Sequence, residues 1–369
     1  MLRYWIAIAT ILPVWLGLQG SATAEGIGDG PAKTQVVPLY VSSNRPLMML
    51  TIGNAPLAPV AFDTGTDENI LQRTFADRLK LKIVGSAPLT DNASGQSRNV
   101  PVVALEEPRL SGAMVSPKTA EVLDYKIPNE VGVFGPNSFA GNYVIIEGPL
   151  NRLRIVPKNS GYLPPGPGEP YRDHLPSYPI TINGLRVDAH LDSGNDGILV
   201  LGGALASKIK LTAPPTIIAI AQSALGSQNV LGGQLDGSVR IGPLELRGSE
   251  VTFADDGNSA NVGFPVIRQL TIVLDPANQR SWVLDPSDLH SPLSDLAGTF
   301  GPRVIRTEGG RLTYQREGRP AHDLRYLGGD LFEMSDTRDR IQFYRKNGRV
   351  VRLELITEAG EVVTEHRTN

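Results

Sequence analysis

The sequence contains no cysteine among its 369 residues. That excludes disulfides, thiol nucleophiles, thiolate metal sites and a lipid-modified N-terminal cysteine. A dominant charge is missing too. With 35 Lys and Arg against 38 Asp and Glu, the net charge is −3, which gives no electrostatic case for nucleic acid or an anionic membrane surface. The five histidines, His174, His190, His290, His322 and His366, show no paired metal-ligand spacing. No His-Glu-x-x-His helix, Gly-x-Ser-x-Gly elbow, phosphate loop or dinucleotide fingerprint occurs. Neither a metal nor a cofactor is expected. Helix formers do not dominate, whereas Gly (39) and Pro (29) are plentiful. That balance predicts a mostly β chain of short strands joined by turns.

What is present begins with an export signal. Arg3 supplies a positive start, Tyr4 to Leu18 is uncharged and largely apolar, and Ala22-Thr23-Ala24 is a small-x-small cleavage pattern. The run is short for a membrane span, and no second one long enough follows it. Residues 1–24 are therefore expected to be a signal peptide, with an uncleaved anchor as the alternative. No stable membrane span is expected after cleavage. Export without disulfides fits a bacterial periplasmic or secreted protein.

The most informative feature is an internal repeat. Val60-Ala61-Phe62-Asp63-Thr64-Gly65 is echoed by Ala189-His190-Leu191-Asp192-Ser193-Gly194, and the two aspartates lie 129 positions apart. Leu79-Lys80-Leu81 and Ile209-Lys210-Leu211 keep an offset of 130, Gly135 and Gly263 one of 128, and Glu147 and Asp275 one of 128. Four matches in order are not expected by chance. In each unit an apolar strand runs into Asp-Thr/Ser-Gly. A helix is expected next, from Leu71, Phe75 and Leu79 in one unit and Leu201, Leu205 and Ile209 in the other. These apolar stripes are read as core. Each unit closes on a β-type run, Tyr143 to Ile146 and Leu270 to Leu274.

Proline and glycine mark the boundaries. The expected layout is a first lobe over 36–158, a linker over 159–172, a second lobe over 173–286 and a C-terminal β domain over 294–369. In that last segment Asn347-Gly348 is a hairpin signal. From Leu296 on, thirteen Lys and Arg face eleven Asp and Glu, a balance that fits a solvated sheet face.

A lone Asp-Ser/Thr-Gly is usually a turn; a matched pair in a repeat is a different matter. The arrangement resembles the aspartic proteases, pepsin-like and retropepsin-like, over about residues 36–286, and the short units look closer to tandem bacterial retropepsin-like domains. The resemblance implies two related β-barrel lobes that bring Asp63 and Asp192 together over one water, sharing a proton. It implies that Thr64 and Ser193 brace the two loops, that Gly65 and Gly194 permit their close approach, and that Thr66 hydrogen-bonds the Asp63 carboxylate. Asn195 departs from the usual Ser, Thr or Ala, though its amide can donate to Asp192. Asp67 and Glu68 extend the first motif and are read as solvated acids at a helix start. Flap candidates are Ala93-Ser94-Gly95-Gln96 and Ser223-Ala224-Leu225-Gly226. His190 is read as packing or solvent contact.

The function this implies is an exported aspartic endopeptidase acting on peptide or protein. The alternative, kept open by Asn195, is a catalytically silent, protease-like peptide-binding protein. A monomer by intrachain lobe pairing is preferred to a dimer, because a tether raises effective concentration.

Overall fold

The computed structural model describes residues 3–5, 34–91, 96–124, 127–160, 162–222, 227–254, 259–285, 293–308, 311–328, 330–337, 339–346 and 349–368. Strands make up 57% of it and helices 8%, so the fold class is mostly β with barrel-like sheets. The chain divides into two compact units, Met1–Val283 and Leu284–Asn369.

The first unit holds three sheets. In one, Arg45–Thr51 pairs with Ala58–Phe62, the strand leading to Asp63. Next come Gly132–Phe134, Asn69–Gln72, Thr119–Leu123, Gln96–Ala104 and Ile83–Asp91. In the second, Ser177–Ile182 pairs with Leu185–Asp192. Ala260–Gly263, Leu199–Gly202, Glu250–Ala254, Ser227–Gln234 and Thr216–Gln222 follow. Arg3–Trp5 runs parallel to Thr216–Gln222. The proposed flap tips, 93–95 and 223–226, lie outside the described residues. Their flanking strands pair as hairpins, Asp91 with Gln96 and Gln222 with Ser227.

The third sheet joins the two halves of this unit. Its order is Glu169–Pro170, Arg280–Leu284, Thr271–Asp275, Asn142–Glu147, Arg152–Pro157 and Gln35–Pro38. The two runs expected to close each half are antiparallel neighbours, with Ile145 opposite Val273. Acids end both strands because each meets a base: Glu147 lies 2.7 Å from Arg154, and Asp275 lies 2.6 Å from Lys158. One continuous apolar core, including Val60, Phe62, Leu71, Phe134, Leu191, Leu201, Val262 and Ile272, underlies all three sheets. Desolvating so many aliphatic and aromatic side chains is the main favourable term available to a chain without disulfides.

The helix expected after each motif is shorter than the apolar spacing suggests. Leu71 belongs to the strand Asn69–Gln72, and only Arg73–Arg78 is helical. Leu201 belongs to Leu199–Gly202, and Gly203–Leu205 is a single 3-10 turn. Leu71, Phe75, Leu201, Leu205 and Ile209 are nonetheless all buried. The stripe is a strand and a following turn facing one core, and the adjacent Gly202 and Gly203 disfavour a longer helix. The segment read as a linker is likewise not wholly free, because Glu169–Pro170 pairs with Arg280–Ser281.

The second unit is an eight-stranded antiparallel meander from Gly298–Phe300 to Val362–His366. Its core packs Phe343 edge-on against Phe300 and Phe332, with ring centroids 5.9 and 5.7 Å apart. Asn347-Gly348 lies outside the described residues, and the strands on either side of it, Arg340–Lys346 and Arg349–Ile356, pair with each other.

Candidate active site

Both Asp-Thr/Ser-Gly motifs sit where a buried strand ends against a parallel neighbour. The first strand, Ala58–Phe62, carries Val60, Ala61 and Phe62 at zero exposure. It runs parallel to Gly132–Phe134, and the Asp63 N–H donates to the Phe134 carbonyl at 3.1 Å. The second strand, Leu185–Asp192, runs parallel to Ala260–Gly263, with Asp192 opposite Gly263. A turn follows each aspartate at once. Each carboxylate therefore stands at a fixed place at the end of an inner strand, backed by an apolar core.

The two turns grip one another. The Thr64 N–H donates to Ser193 Oγ at 3.0 Å, and the Ser193 N–H donates to Thr64 Oγ1 at 2.8 Å. Each hydroxyl then passes its own proton across: Thr64 to the Leu191 carbonyl, Ser193 to the Phe62 carbonyl at 2.8 Å. Both hydroxyls are fully buried and satisfied as donor and acceptor. Gly65 and Gly194 are required by the closeness of this contact. A methyl group on Gly65 would lie 2.6 Å from Asp192 Oδ1, and one on Gly194 would overlap the Asp63 carboxylate.

The aspartates themselves are neighbours, each carboxylate lying against the glycine that follows the other. Burial pushes the Asp63 carboxyl well above its usual range, and the adjacent Asp192 charge pushes it further; Arg45 and the Gly65 N–H pull the other way. Asp63 Oδ1 accepts from the Gly65 N–H at 2.7 Å. Asp192 is met by three N–H donors. Gly194 and Asn195 amides reach Oδ1 at 2.9 and 3.2 Å, and the Asn261 side chain reaches Oδ2 at 2.7 Å.

Two expectations from the sequence are corrected here. The Thr66 hydroxyl is not bonded to Asp63: it accepts from the Glu68 N–H at 3.2 Å and donates to the Glu68 carbonyl at 3.3 Å, closing a local turn. The Asn195 side-chain amide does not reach Asp192 directly. Its Nδ2 donates to Asn261 Oδ1 at 2.7 Å, and its Oδ1 accepts from the Gly197 N–H at 2.8 Å. Asn261 is thus the link between them, held by Asn195 and donating onward to Asp192. The reading of Asp67 and Glu68 as solvated acids is also revised, since both are only partly exposed and burial raises both carboxyls, Glu68 to about 7.

Three residues at the site carried no motif signal. Asn261 is one. The others are Arg45 and Glu130, a buried ion pair with Nε–Oε2 3.0 Å and Nη2–Oε1 3.1 Å. Burial pushes Glu130 up while Arg45 pulls it down. With a guanidinium that keeps its charge and a two-pronged fit, the geometry is that of an ion pair. Arg45 Nη1 also donates to the Gly194 carbonyl, so one cation ties the strand Arg45–Thr51 to the second turn. A cavity of about 230 Å³ opens beside it, lined by Ser43, Arg45, Leu47, Glu130 and Asp196. His190 lies apart from the carboxylates' contacts: its Nδ1 is 3.1 Å from Ser177 Oγ, and burial lowers its pKa.

Residues 178–264 match a family model for aspartyl proteases. The matched segment holds Asp192, Ser193, Gly194, Asn195 and Asn261 and ends just past Gly263. The match supports protease function generally and makes this segment similar to aspartyl proteases. No curated protein matches the chain. Among the described residues no His, Cys, Asp and Glu group is arranged to hold a metal ion, and no helix is long and apolar enough to cross a membrane.

Proposed function

We propose that the chain is an exported aspartic endopeptidase, periplasmic or secreted, whose first unit holds two tandem retropepsin-like lobes and whose second is an appended β domain. The observation that carries the reading is the reciprocal Thr64–Ser193 grip, which sets Asp63 against Asp192 over each other's glycine. The like order of strands around the two aspartates, and the sheet that pairs Asn142–Glu147 with Thr271–Asp275, support intrachain pairing and a monomer.

The two aspartates differ in their surroundings, and that difference supports distinct roles. Asp63, buried and beside another carboxylate, is the one that keeps the shared proton. Asp192, with three N–H donors, is the one that carries the negative charge. A water between them loses its proton to Asp192 as its oxygen attacks the peptide carbonyl carbon. Asp63 gives its proton to the carbonyl oxygen. The resulting tetrahedral diol collapses when the amide nitrogen takes up a proton from Asp192, the C–N bond breaks, and Asp63 regains its proton from the diol hydroxyl. Arg45 keeps positive charge near both carboxylates throughout. Protein or peptide is the substrate, and no cofactor takes part.

The test is a peptide-library digest by the purified protein across acid and neutral pH, with and without a general aspartic-protease inhibitor. Inhibitor-sensitive internal cleavage is the expected result. Peptide binding without cleavage at any pH would instead identify a silent binding protein.

A further inference from the structure

Beside the first motif lies a group of acids that the hydrolytic step does not use. Asp67 and Glu68 follow Thr66 in the turn that carries Asp63. Glu121 comes from Thr119–Leu123, which runs parallel to Asn69–Gln72 with Glu121 opposite Ile70. Glu121 is 6% exposed, yet its Oε2 has no hydrogen-bond partner, and neither has Asp67 Oδ1. Burial, then Glu68 and Asp67, raise the Glu121 carboxyl to about 7; burial, then Asp67, do the same to Glu68. Exposed His174 lies near enough to Asp67 to offset part of the effect of burial on that carboxyl. Buried carboxylate oxygens with no donor are costly, and each adds to the negative potential felt by the others.

We propose that Asp67, Glu68 and Glu121 form a subsite that takes the cationic side chain of an Arg or Lys in the peptide substrate. The proposal rests on the protease reading, because it is the peptide held at Asp63 that brings the side chain alongside. A guanidinium supplies five N–H donors in a planar fork. It would satisfy both orphaned oxygens and offset the mutual repulsion of three acids at once. An apolar side chain would leave both costs in place. A metal ion is a poorer fit, since no metal-holding arrangement is found among the described residues.

The test compares an arginine peptide, taken from the best-cleaved library members, with its citrulline twin, which keeps the shape and loses the charge. For the wild-type protein, kcat/KM should be at least about tenfold higher for arginine, as one charge-assisted contact supplies. In Glu121→Gln the ratio should fall toward one. Glu68→Gln, in a partly exposed turn, is the second variant should Glu121→Gln not fold. Cleavage of both twins at equal rates by the wild type would overturn the subsite and leave the protease reading intact. If the wild type cleaves no library peptide, the protease reading fails, and fluorescence anisotropy with an arginine peptide and its citrulline twin decides the subsite. Tighter arginine binding that Glu68→Gln or Glu121→Gln abolishes would sustain it. Equal binding, or none, would overturn it.

Discussion

The two Asp-Thr/Ser-Gly turns are alike where they touch and unlike everywhere else. Across the contact the grip is reciprocal: Thr64 and Ser193 exchange two hydrogen bonds, their hydroxyls donate to the Leu191 and Phe62 carbonyls, and each glycine lies under the opposite carboxylate. Behind the contact the surroundings diverge. Asn261 stands opposite His190 in the second half, where Val133 stands opposite Ala61 in the first, so Asp192 gains a side-chain donor that Asp63 lacks. Two residues before the strand position facing Ala61 is Arg45; two before the position facing His190 is Leu175. The lesson is that duplicated sequence builds a symmetric frame, and a few unmatched polar residues give its two carboxyls different hydrogen-bond partners.

Breaking the symmetric part should have the largest effect. Gly194→Ala places a methyl group in the Asp63 carboxylate, so the turns must separate. Turnover of a library-selected peptide should drop by orders of magnitude, and Gly65→Ala should do much the same. Wild-type-like turnover by either would show that the turns are looser than their hydrogen bonds imply.

Next in size is the cation that only the first half owns. Arg45→Met leaves Glu130 buried without its partner, which should cost about 3–5 kcal/mol in denaturant-derived stability. The double variant Arg45→Met/Glu130→Leu should recover most of that loss. A double variant as unstable as the single would mean that the bond to the Gly194 carbonyl, not the ion pair, is what matters.

Asn261→Val copies the first half into the second. It removes one donor from Asp192 and should lower kcat by about 10- to 100-fold, the worth of a hydrogen bond to a charged group. Wild-type turnover by Asn261→Val would assign Asn261 a packing role only.

The smallest effect concerns stability and pH. Glu68 and Glu121 are raised from 4.5 to about 7 on folding. Between those values the folded chain binds more protons than the unfolded one, so stability falls as pH rises through that window. Asp63 and Asp67, also raised, act in the same direction. The thermal midpoint should therefore fall by several degrees from pH 5 to 8, and the fall should be shallower in Glu68→Gln/Glu121→Gln. An identical slope in that variant would mean that the two acids titrate alike folded and unfolded.

How far this arrangement could be read from the chain follows from the range of each interaction. The Asp63 and Asp192 turns announce themselves locally, since aspartate, a small hydroxyl residue and glycine occupy consecutive positions and recur with a nearly constant offset. The mostly β class followed from turn density. Asn261, Arg45 and Glu130 were not legible, because their partners lie 69, 149 and 85 positions away and are set by sheet register. Leu71 and Leu201 were misread as helical for a related reason: burial of one face looks the same whether a strand and a turn or a continuous helix supplies it.

The central claim, that Asp63 and Asp192 work as one unit, is tested most directly by a mutant cycle on a single peptide. Asp63→Asn and Asp192→Asn keep the shape of the side chains and remove their acid–base chemistry. Each alone should lower kcat/KM by several orders of magnitude, and the double variant should be little worse than either, because half a proton-sharing pair does no work. Losses that multiply, or cleavage that survives both substitutions, would contradict the account.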